Sequence, residues 1–377
     1  MKVFFIINSI PPDYGGGYLR VFRTASRFKE YGWFYKIATY TKRDAYKEYL
    51  NVRDEDVIFL KKSVFWRFFE LPWRMLFHSK DYDALYIASA RWYTVLPTFV
   101  AKMQGKKVVN SVTLSMVDSP ALPPSNIIKV PYYSYKNIQF KFADYVFVNS
   151  PLLVEECKNC GIDESKIKLV NNPVDTGVFH PVEDAVKRTM RKEYGLNEEN
   201  LTILFVGSIN KRKGCDLLPA IFEKLFTNYR VSVNFVICGQ KGYPETDSIL
   251  NDLQTIFKDN DSVLQIREEE NNPSVFYQLA DIFLFPTTNE GMPNVVLEAM
   301  ACGCMIKCNL LPGITDYVLD DIFLVHNNNV KEYVDSICNY INYRKKYEEY
   351  IKKNIEVIEA SFSVSSVDGH IKSLLAS

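Results

Sequence analysis

The sequence predicts an α/β protein built from two doubly wound, parallel-sheet domains. Three observations predict it. The chain has 377 residues, a length that suits two α/β domains rather than one. Short apolar runs bounded by turn residues alternate with helical stretches, which argues for a parallel sheet. The order strand, glycine loop, helix occurs once in each half. Hydrophobic residues make up 47%, enough for two buried cores.

In the first half, Lys2 to Asn8 reads as a buried strand, and a loop follows from Pro11 to Gly17. A helix comes next, with Leu19, Phe22, Ala25 and Phe28 on one face, ending near Gly32. Further strands are expected at Phe34 to Thr39, Ala84 to Ala88, Lys107 to Val112 and Tyr145 to Asn149. The pattern breaks at Val170-Asn171-Asn172-Pro173-Val174-Asp175, a turn-rich connector. Thr202 to Val206 then opens a second unit, with a helix from Cys215 to Asn228 and strands at Val233 to Cys238 and Ile282 to Phe285. The first domain is assigned to residues 1–175, rejoined by a C-terminal helix at about 356–377, and the second to 176–355.

Composition excludes several classes. Lys+Arg and Asp+Glu number 45 each, so the net charge is +0 and a nucleic-acid partner is not expected. Aromatics reach 14%, with 24 Tyr and 25 Phe; they suit sugar and membrane contacts and equally fill cores. The Cys157/Cys160 pair has no second pair at zinc-finger spacing, and Cys302, Cys304 and Cys308 have no His nearby in sequence, so no zinc site is expected. Asp81-Tyr82-Asp83 is formally D-x-D, but it precedes a first-domain strand and reads as a loop; no metal is expected. Met1-Lys2 leads straight into a strand-like run, and no stretch reaches the roughly 20 apolar residues that span a bilayer. The expected location is cytoplasmic, with reduced thiols.

Chemistry concentrates in the second half. In the run from Phe285 to Met300 a strand ends and a loop turns into a helix, with Asn294 as the expected cap. Glu290 and Glu298 stand eight positions apart across that turn. Backbone N–H groups of Gly291, Met292, Pro293's neighbour Asn294 and Val295 lie at a helix start, which suits anionic oxygens, and the carboxylates suit sugar or ribose hydroxyls. The second segment, Val206-Gly207-Ser208-Ile209-Asn210-Lys211-Arg212-Lys213-Gly214, empties a strand into a cationic loop. Arg212 and Lys213 there suit a diphosphate leaving group. Gly15-Gly16-Gly17 permits close backbone approach to a ligand, but it is not G-x-G-x-x-G, so a nicotinamide site is rejected.

On these residues the chain resembles the retaining GT-B glycosyltransferases of bacterial polysaccharide assembly, a group with two Rossmann-like domains facing a cleft and an E-x7-E motif, here Glu290 and Glu298. The resemblance covers nearly the whole chain. The Pro-Asp connector followed by Phe179-His180-Pro181 resembles that family's interdomain linker. The resemblance implies that Glu290 faces the donor sugar and Glu298 accepts from ribose hydroxyls. It implies that the backbone of Gly291, Met292, Pro293, Asn294 and Val295 meets sugar hydroxyls or phosphate, and that Lys213 with Arg212 holds the diphosphate. Gly16 and Gly17 would close over the donor from the first domain, and Arg267, in a loop before a helix, would meet the base. Two departures stand out. Ser208 occupies a position where many relatives carry Arg, and the stretch from Asn110 to Asp118 lacks the family's His; the chain's His are at 78, 180, 326 and 370. Asp118 or Thr113 would take over that polar contact, so Asp118 joins Glu290 and Lys213 as an expected catalytic group.

The implied function is transfer of a sugar from a nucleotide-sugar, with UDP- or GDP-linked donors favoured, to a saccharide or lipid-linked acceptor in surface polysaccharide or glycolipid assembly. The nucleotide-sugar is a co-substrate, and no cofactor is expected. A covalent route needs a nucleophilic carboxylate that no residue clearly offers, so a one-face reaction is implied, with the departing phosphate drawing the acceptor proton. The segment 61–80 carries five Lys/Arg, one Glu and six Phe/Trp. This suits either an anionic membrane surface, on the inner face of the cell membrane, or an amphipathic helix packed on its own sheet. The competing functions are a sugar-nucleotide epimerase of the same fold and a non-catalytic nucleotide-sugar-binding partner.

Overall fold

In the computed structural model the described residues are 1–10, 16–43, 52–61, 63–77, 79–113, 120, 130–258, 261–268, 273–290, 292–318 and 320–376. They fall into two units, Met1–Asn172 with Asp368–Ser377, and Pro173–Val367.

The first unit alternates strands and helices: β1 (Lys2–Ile6), α1 (Gly16–Phe28), β2 (Phe34–Thr39), β3 (Val57–Phe59), α2 (Val64–Phe77), β4 (Ala84–Ile87), α3 (Val95–Met103), β5 (Lys107–Val112), α4 (Val130–Phe142), β6 (Tyr145–Val148), α5 (Pro151–Asn159) and β7 (Ile167–Leu169). Among the described residues these strands form one parallel sheet in the order β3-β2-β1-β4-β5-β6-β7. The order reverses between β1 and β4, the topological switch point of such a sheet. Every residue of β4 is buried, as expected where helices cover both faces. On α1, Phe22, Ala25 and Phe28 are fully buried, matching the apolar stripe in the sequence. Leu71 and Met75 of α2 pack into the core, whereas Trp66, Phe69, Trp73, Leu76 and Phe77 of the same helix are exposed. The Asp81-Tyr82-Asp83 run lies at a strand start, where Asp83 Oδ2 accepts from the Lys2 backbone N–H at 2.8 Å. Among the described residues no helix is long and apolar enough to cross a membrane.

The second unit contains α6 (Asp184–Glu193), β8 (Leu201–Val206), α7 (Leu218–Lys224), β9 (Val233–Cys238), α8 (Thr246–Lys258), β10 (Val263–Arg267), α9 (Ser274–Leu279), β11 (Ile282–Phe285), α10 (Asn294–Ala301), β12 (Met305–Asn309), α11 (Pro312–Thr315), β13 (Leu324–Val325), α12 (Val330–Asn342) and α13 (Arg344–Val357). The last helix, α14, spans Val364–Ala376. Its strands pair in parallel in the order β10-β9-β8-β11-β12-β13, with the switch point between β8 and β11. All of β9 and β11 is buried. The helix expected from Cys215 to Asn228 is three pieces: a 3-10 turn at Cys215–Leu217, α7, and a π turn at Leu225–Tyr229. Pro219 at the start of α7 fits this break, because a proline ring is best placed in a first helical turn. Residues 356–367 belong to the second unit, since Ile358 and Phe362 sit in its core and Val174 bridges to Ser363.

Strand β12 buries a lysine. Lys307 is 2% exposed, and its ammonium donates to the carbonyls of Ile322 (2.9 Å) and Leu324 (3.2 Å). Burial lowers its pKa from 10.5 to about 8. The folded pKa lies below the unfolded one, so the penalty for the buried charge is fully present below pH 8 and disappears as pH rises toward 10.5. Relative to Lys307→Met, the parent protein should therefore gain about 3 kcal/mol of unfolding free energy across that window. Urea titrations of both proteins at several pH values check this, and a pH-independent difference would contradict it.

Candidate active site

Two loops leave adjacent strands at the switch point of the second sheet, and local backbone chemistry sets their course. After β8 the chain runs through Gly207 and Ser208 into a 3-10 turn, Lys211–Lys213, capped by the Asn210 side chain, whose Oδ1 accepts from the Lys213 N–H at 3.0 Å. Gly214 ends this turn at φ 72°, in the left-handed region that only glycine adopts freely. A Cβ there would lie 1.9 Å from the Pro286 carbonyl oxygen. Gly239, after β9, approaches the Gly207 carbonyl as closely: a Cβ would sit 1.7 Å away.

The loop after β11 is drawn onto the first. Thr288 N–H donates to the Arg212 carbonyl at 3.0 Å, and the Thr288 hydroxyl does so at 3.0 Å. Arg212 Nη1 donates to the Asn289 carbonyl (3.1 Å) and to Glu290 Oε1 (3.2 Å). Lys213 Nζ pairs with the same Glu290 oxygen and lies 5.1 Å from the Phe285 ring centre. The Thr287 hydroxyl is 3.2 Å from both Glu290 Oε1 and the Arg212 carbonyl, and its single proton serves one at a time. The Lys213 and Glu290 side chains are only 14% and 13% exposed, against 53% for Arg212. Half-desolvated, the Lys213–Glu290 pair is stronger than a surface salt bridge.

Of the expected donor residues, the fold brings Arg212, Lys213 and Glu290 into direct contact, with Ser208 in the same loop. Met292 and Pro293 are buried beside the start of α10, and Val295 is half-buried in its first turn. Asn294 is not the cap: it is the first helical residue, and Pro293, extended at φ −74° and ψ 112°, precedes it. Glu298 lies one turn further on, where its Oε2 accepts from the buried Tyr277 hydroxyl at 3.0 Å. Burial, with the Glu298 charge second, pushes the Tyr277 phenol far up. Arg267 is not in a loop; it is the last residue of β10, two strands from β8, with Nη2 on Gln265 Oε1 at 3.2 Å. Among the described residues it makes no hydrogen bond or ion pair with Arg212, Lys213 or Glu290, and its guanidinium lies 5.9 Å from the Phe276 ring centre. Gly16 and Gly17 begin α1 in the first unit. Asp118 and Gly291 lie outside the described residues; Thr113 follows β5 and is half-buried.

Sequence reasoning missed Thr287, Asn210, Gly239 and Tyr277. Three carried a signal: Thr287 stands three residues before Glu290 in the Phe285–Met300 run, Asn210 stands three residues before Lys213 as a capping residue does, and Gly239 follows a strand as Gly207 does. Tyr277 carried none, because its role depends on which helix packs beside α10.

Solved structures identify the class of fold. The UDP-glucose complex of HepE from Anabaena covers 100% of this chain and 99% of its own, at TM-score 0.77 and 15% identity. A glycosyltransferase from Rickettsia africae covers 99% and 97%, at TM-score 0.78 and 15% identity. The two parallel-sheet units therefore have the GT-B fold. More particularly, residues 186–357 match the family model of glycosyl transferases group 1. Alpha-galactosylglucosyldiacylglycerol synthase of Streptococcus pneumoniae is 26% identical over 55% of this chain and 54% of its own length. The D-inositol 3-phosphate glycosyltransferase of Xylanimonas cellulosilytica is 32% identical over 43% and 39%. The chain spans about half the length of the curated relatives it matches.

Gly214→Ala should break this site locally. It combines a left-handed residue, costing about 1 kcal/mol, with a clash against Pro286 that only a backbone shift relieves. The expected result is a lower melting temperature, measured by calorimetry. A variant that melts as the parent does would contradict the assigned loop geometry.

Proposed function

We propose that this protein is a retaining glycosyltransferase of the group 1 family. It moves a sugar from a nucleotide-sugar, UDP- or GDP-linked, to a saccharide or lipid-linked acceptor in surface polysaccharide or glycolipid assembly. The observation that carries the reading is the convergence of Arg212 and Lys213 on Glu290 Oε1 at the carboxyl ends of β8 and β11. The match over residues 186–357 and the relatives named above support it.

Breaking a sugar–phosphate bond leaves negative charge on the departing diphosphate. Two cations fixed beside a helix start offset that charge as it develops, without reorganisation at the moment of reaction. In the ligand-free protein Glu290 neutralises them. An incoming diphosphate competes for the same cations, which releases the Glu290 carboxylate to accept from donor-sugar hydroxyls. Glu298, already tied to Tyr277 through one oxygen, is placed in this reading to receive ribose hydroxyls. Retention follows from a one-face reaction in which a departing phosphate oxygen takes the acceptor proton. No cofactor or metal is assigned. The reading places the protein in the cytoplasm at the inner face of the membrane, with the exposed Trp and Phe side chains of α2 as the contact.

Lys213→Ala should weaken binding of the matching nucleoside diphosphate by about 10- to 100-fold. Glu290→Ala should lower turnover by about 10²- to 10³-fold, yet leave that affinity equal or tighter, because it removes the competing anion from Lys213. Calorimetry and a donor-consumption assay over UDP- and GDP-sugars measure both. Undiminished turnover in Glu290→Ala, or undiminished binding in Lys213→Ala, would overturn the reading.

A further inference from the structure

The first unit holds a cavity of about 720 Å³ at the amino ends of β1, β2 and β3. Small-molecule sites span about 300–1,000 Å³, so the space suits one ligand of that size. Substrates of open parallel sheets bind at the carboxyl ends of the strands, and this cavity lies at the opposite edge of its sheet.

Strand register builds the walls. Lys2 pairs with Phe34, Phe4 with Lys36 and Ala38 with Ile58, so Lys2, Phe4, Phe34, Lys36 and Ile58 stand on one face of the sheet. Helix α2 covers that face: Phe4 shares a core with Leu71 and Met75, and Ile58 packs against it. At the starts of the strands the cover is incomplete, and the cavity lies among Phe4, Trp33, Phe34, Ile58 and Arg74 of α2. Trp33 is fixed there edge to face on Phe28, with ring centres 5.1 Å apart. Phe34, the first residue of β2, is 71% exposed, which leaves aromatic surface for a ligand to cover.

The polar lining is mainly cationic. Lys2, Lys29, Lys36 and Arg74 stand against Asp56 and Asp81. Lys29 is paired with Asp56 at 3.7 Å and Arg74 with Glu70 at 2.9 Å. Lys2 and Lys36 are not paired in this way. Lys2 Nζ donates to the Lys80 carbonyl at 3.1 Å and Lys36 Nζ to the Glu55 carbonyl, and among the described residues neither ammonium forms an ion pair. Each sits on a flexible four-carbon stem and can turn onto an anion without breaking a salt bridge. An apolar cavity ringed by cations is the complement of an aliphatic chain that ends in an anion.

We propose that this cavity binds a single-chain anionic amphiphile of the fatty-acid class. The chain lies against Phe4, Trp33, Phe34 and Ile58, and the carboxylate is held at the rim by Lys2 and Lys36. None of these residues belongs to the donor-binding group, and the inference does not rest on the glycosyltransferase reading.

Calorimetry of the full chain with hexanoate, octanoate, decanoate and octanol tests this. Each methylene that enters the cavity should tighten binding about fourfold, so affinity should climb steeply from hexanoate to decanoate. Octanol, with the same chain length as octanoate and no charge, should bind about tenfold more weakly. Lys36→Met keeps an apolar stem in the strand, and Lys2→Met changes an exposed residue at the chain start; both should melt as the parent does. Together they should weaken decanoate binding about tenfold and leave UDP or GDP binding unchanged. Ile58→Trp, which fills the cavity, should weaken decanoate and octanol alike. The site is overturned if decanoate does not bind, if affinity is independent of chain length, if octanol binds as tightly as octanoate, or if the lysine variants bind decanoate as the parent does.

Discussion

One carboxylate oxygen, Glu290 Oε1, holds the second unit's loops in register. It receives a lysine, an arginine and a threonine hydroxyl, and those three groups come from loops that leave neighbouring strands. Without it, Lys213, largely out of solvent, would lose the anion that offsets its charge beside the more exposed Arg212. With it, the Arg212 carbonyl is free to collect the N–H and the hydroxyl of Thr288, and the two loops run against each other. In the proposed reaction, the group that pairs these cations is the one an incoming diphosphate displaces. A ligand-free site with this wiring is stable and, at the same time, poised for an anion.

The geometry also depends on two absent side chains. Gly214 and Gly239 let backbone carbonyls come within a distance no Cβ tolerates. The consequence is that the loops after β8 and β9 are fixed by main-chain contacts, and the cations on the first are aimed by backbone rather than by side-chain packing. Precision of this kind suits electrostatic stabilisation, which weakens steeply when donors drift by an ångström.

The architecture was legible in the sequence wherever a strand is an unbroken apolar run. Phe34–Thr39, Lys107–Val112, Val233–Cys238 and Ile282–Phe285 stand where the pattern places them. The strands it did not reveal are short or interrupted. β12 hides behind Lys307 and Asn309, β10 behind Gln265 and Arg267, and β13 has two residues. The site was legible in its charged members, because Arg212, Lys213 and Glu290 belong to two contiguous motifs. What could not be read is tertiary: Tyr277 on Glu298, and the cavity lined by Phe4, Lys36 and Arg74, come from segments that meet only through the sheet order. Asn294 was misplaced by one position because a proline before it already supplies the extended residue a helix start needs.

The first unit is completed by the last part of the chain. Arg27 of α1 forms an ion pair with Asp368 at 2.6 Å, Tyr31 donates to the same carboxylate at 3.0 Å, and Lys107 Nζ donates to the Leu375 carbonyl at 2.9 Å. Asp368 is fully buried there. During synthesis, residues 173–367 therefore emerge whole before the earlier unit has its closing piece. The second unit then has all of its own residues, while the first still lacks the carboxylate that binds Arg27 of α1 and Tyr31 in the turn after it. The unit translated first is thus the one whose last contacts form last, and a nascent-chain arrest just short of Asp368 would isolate the state without them.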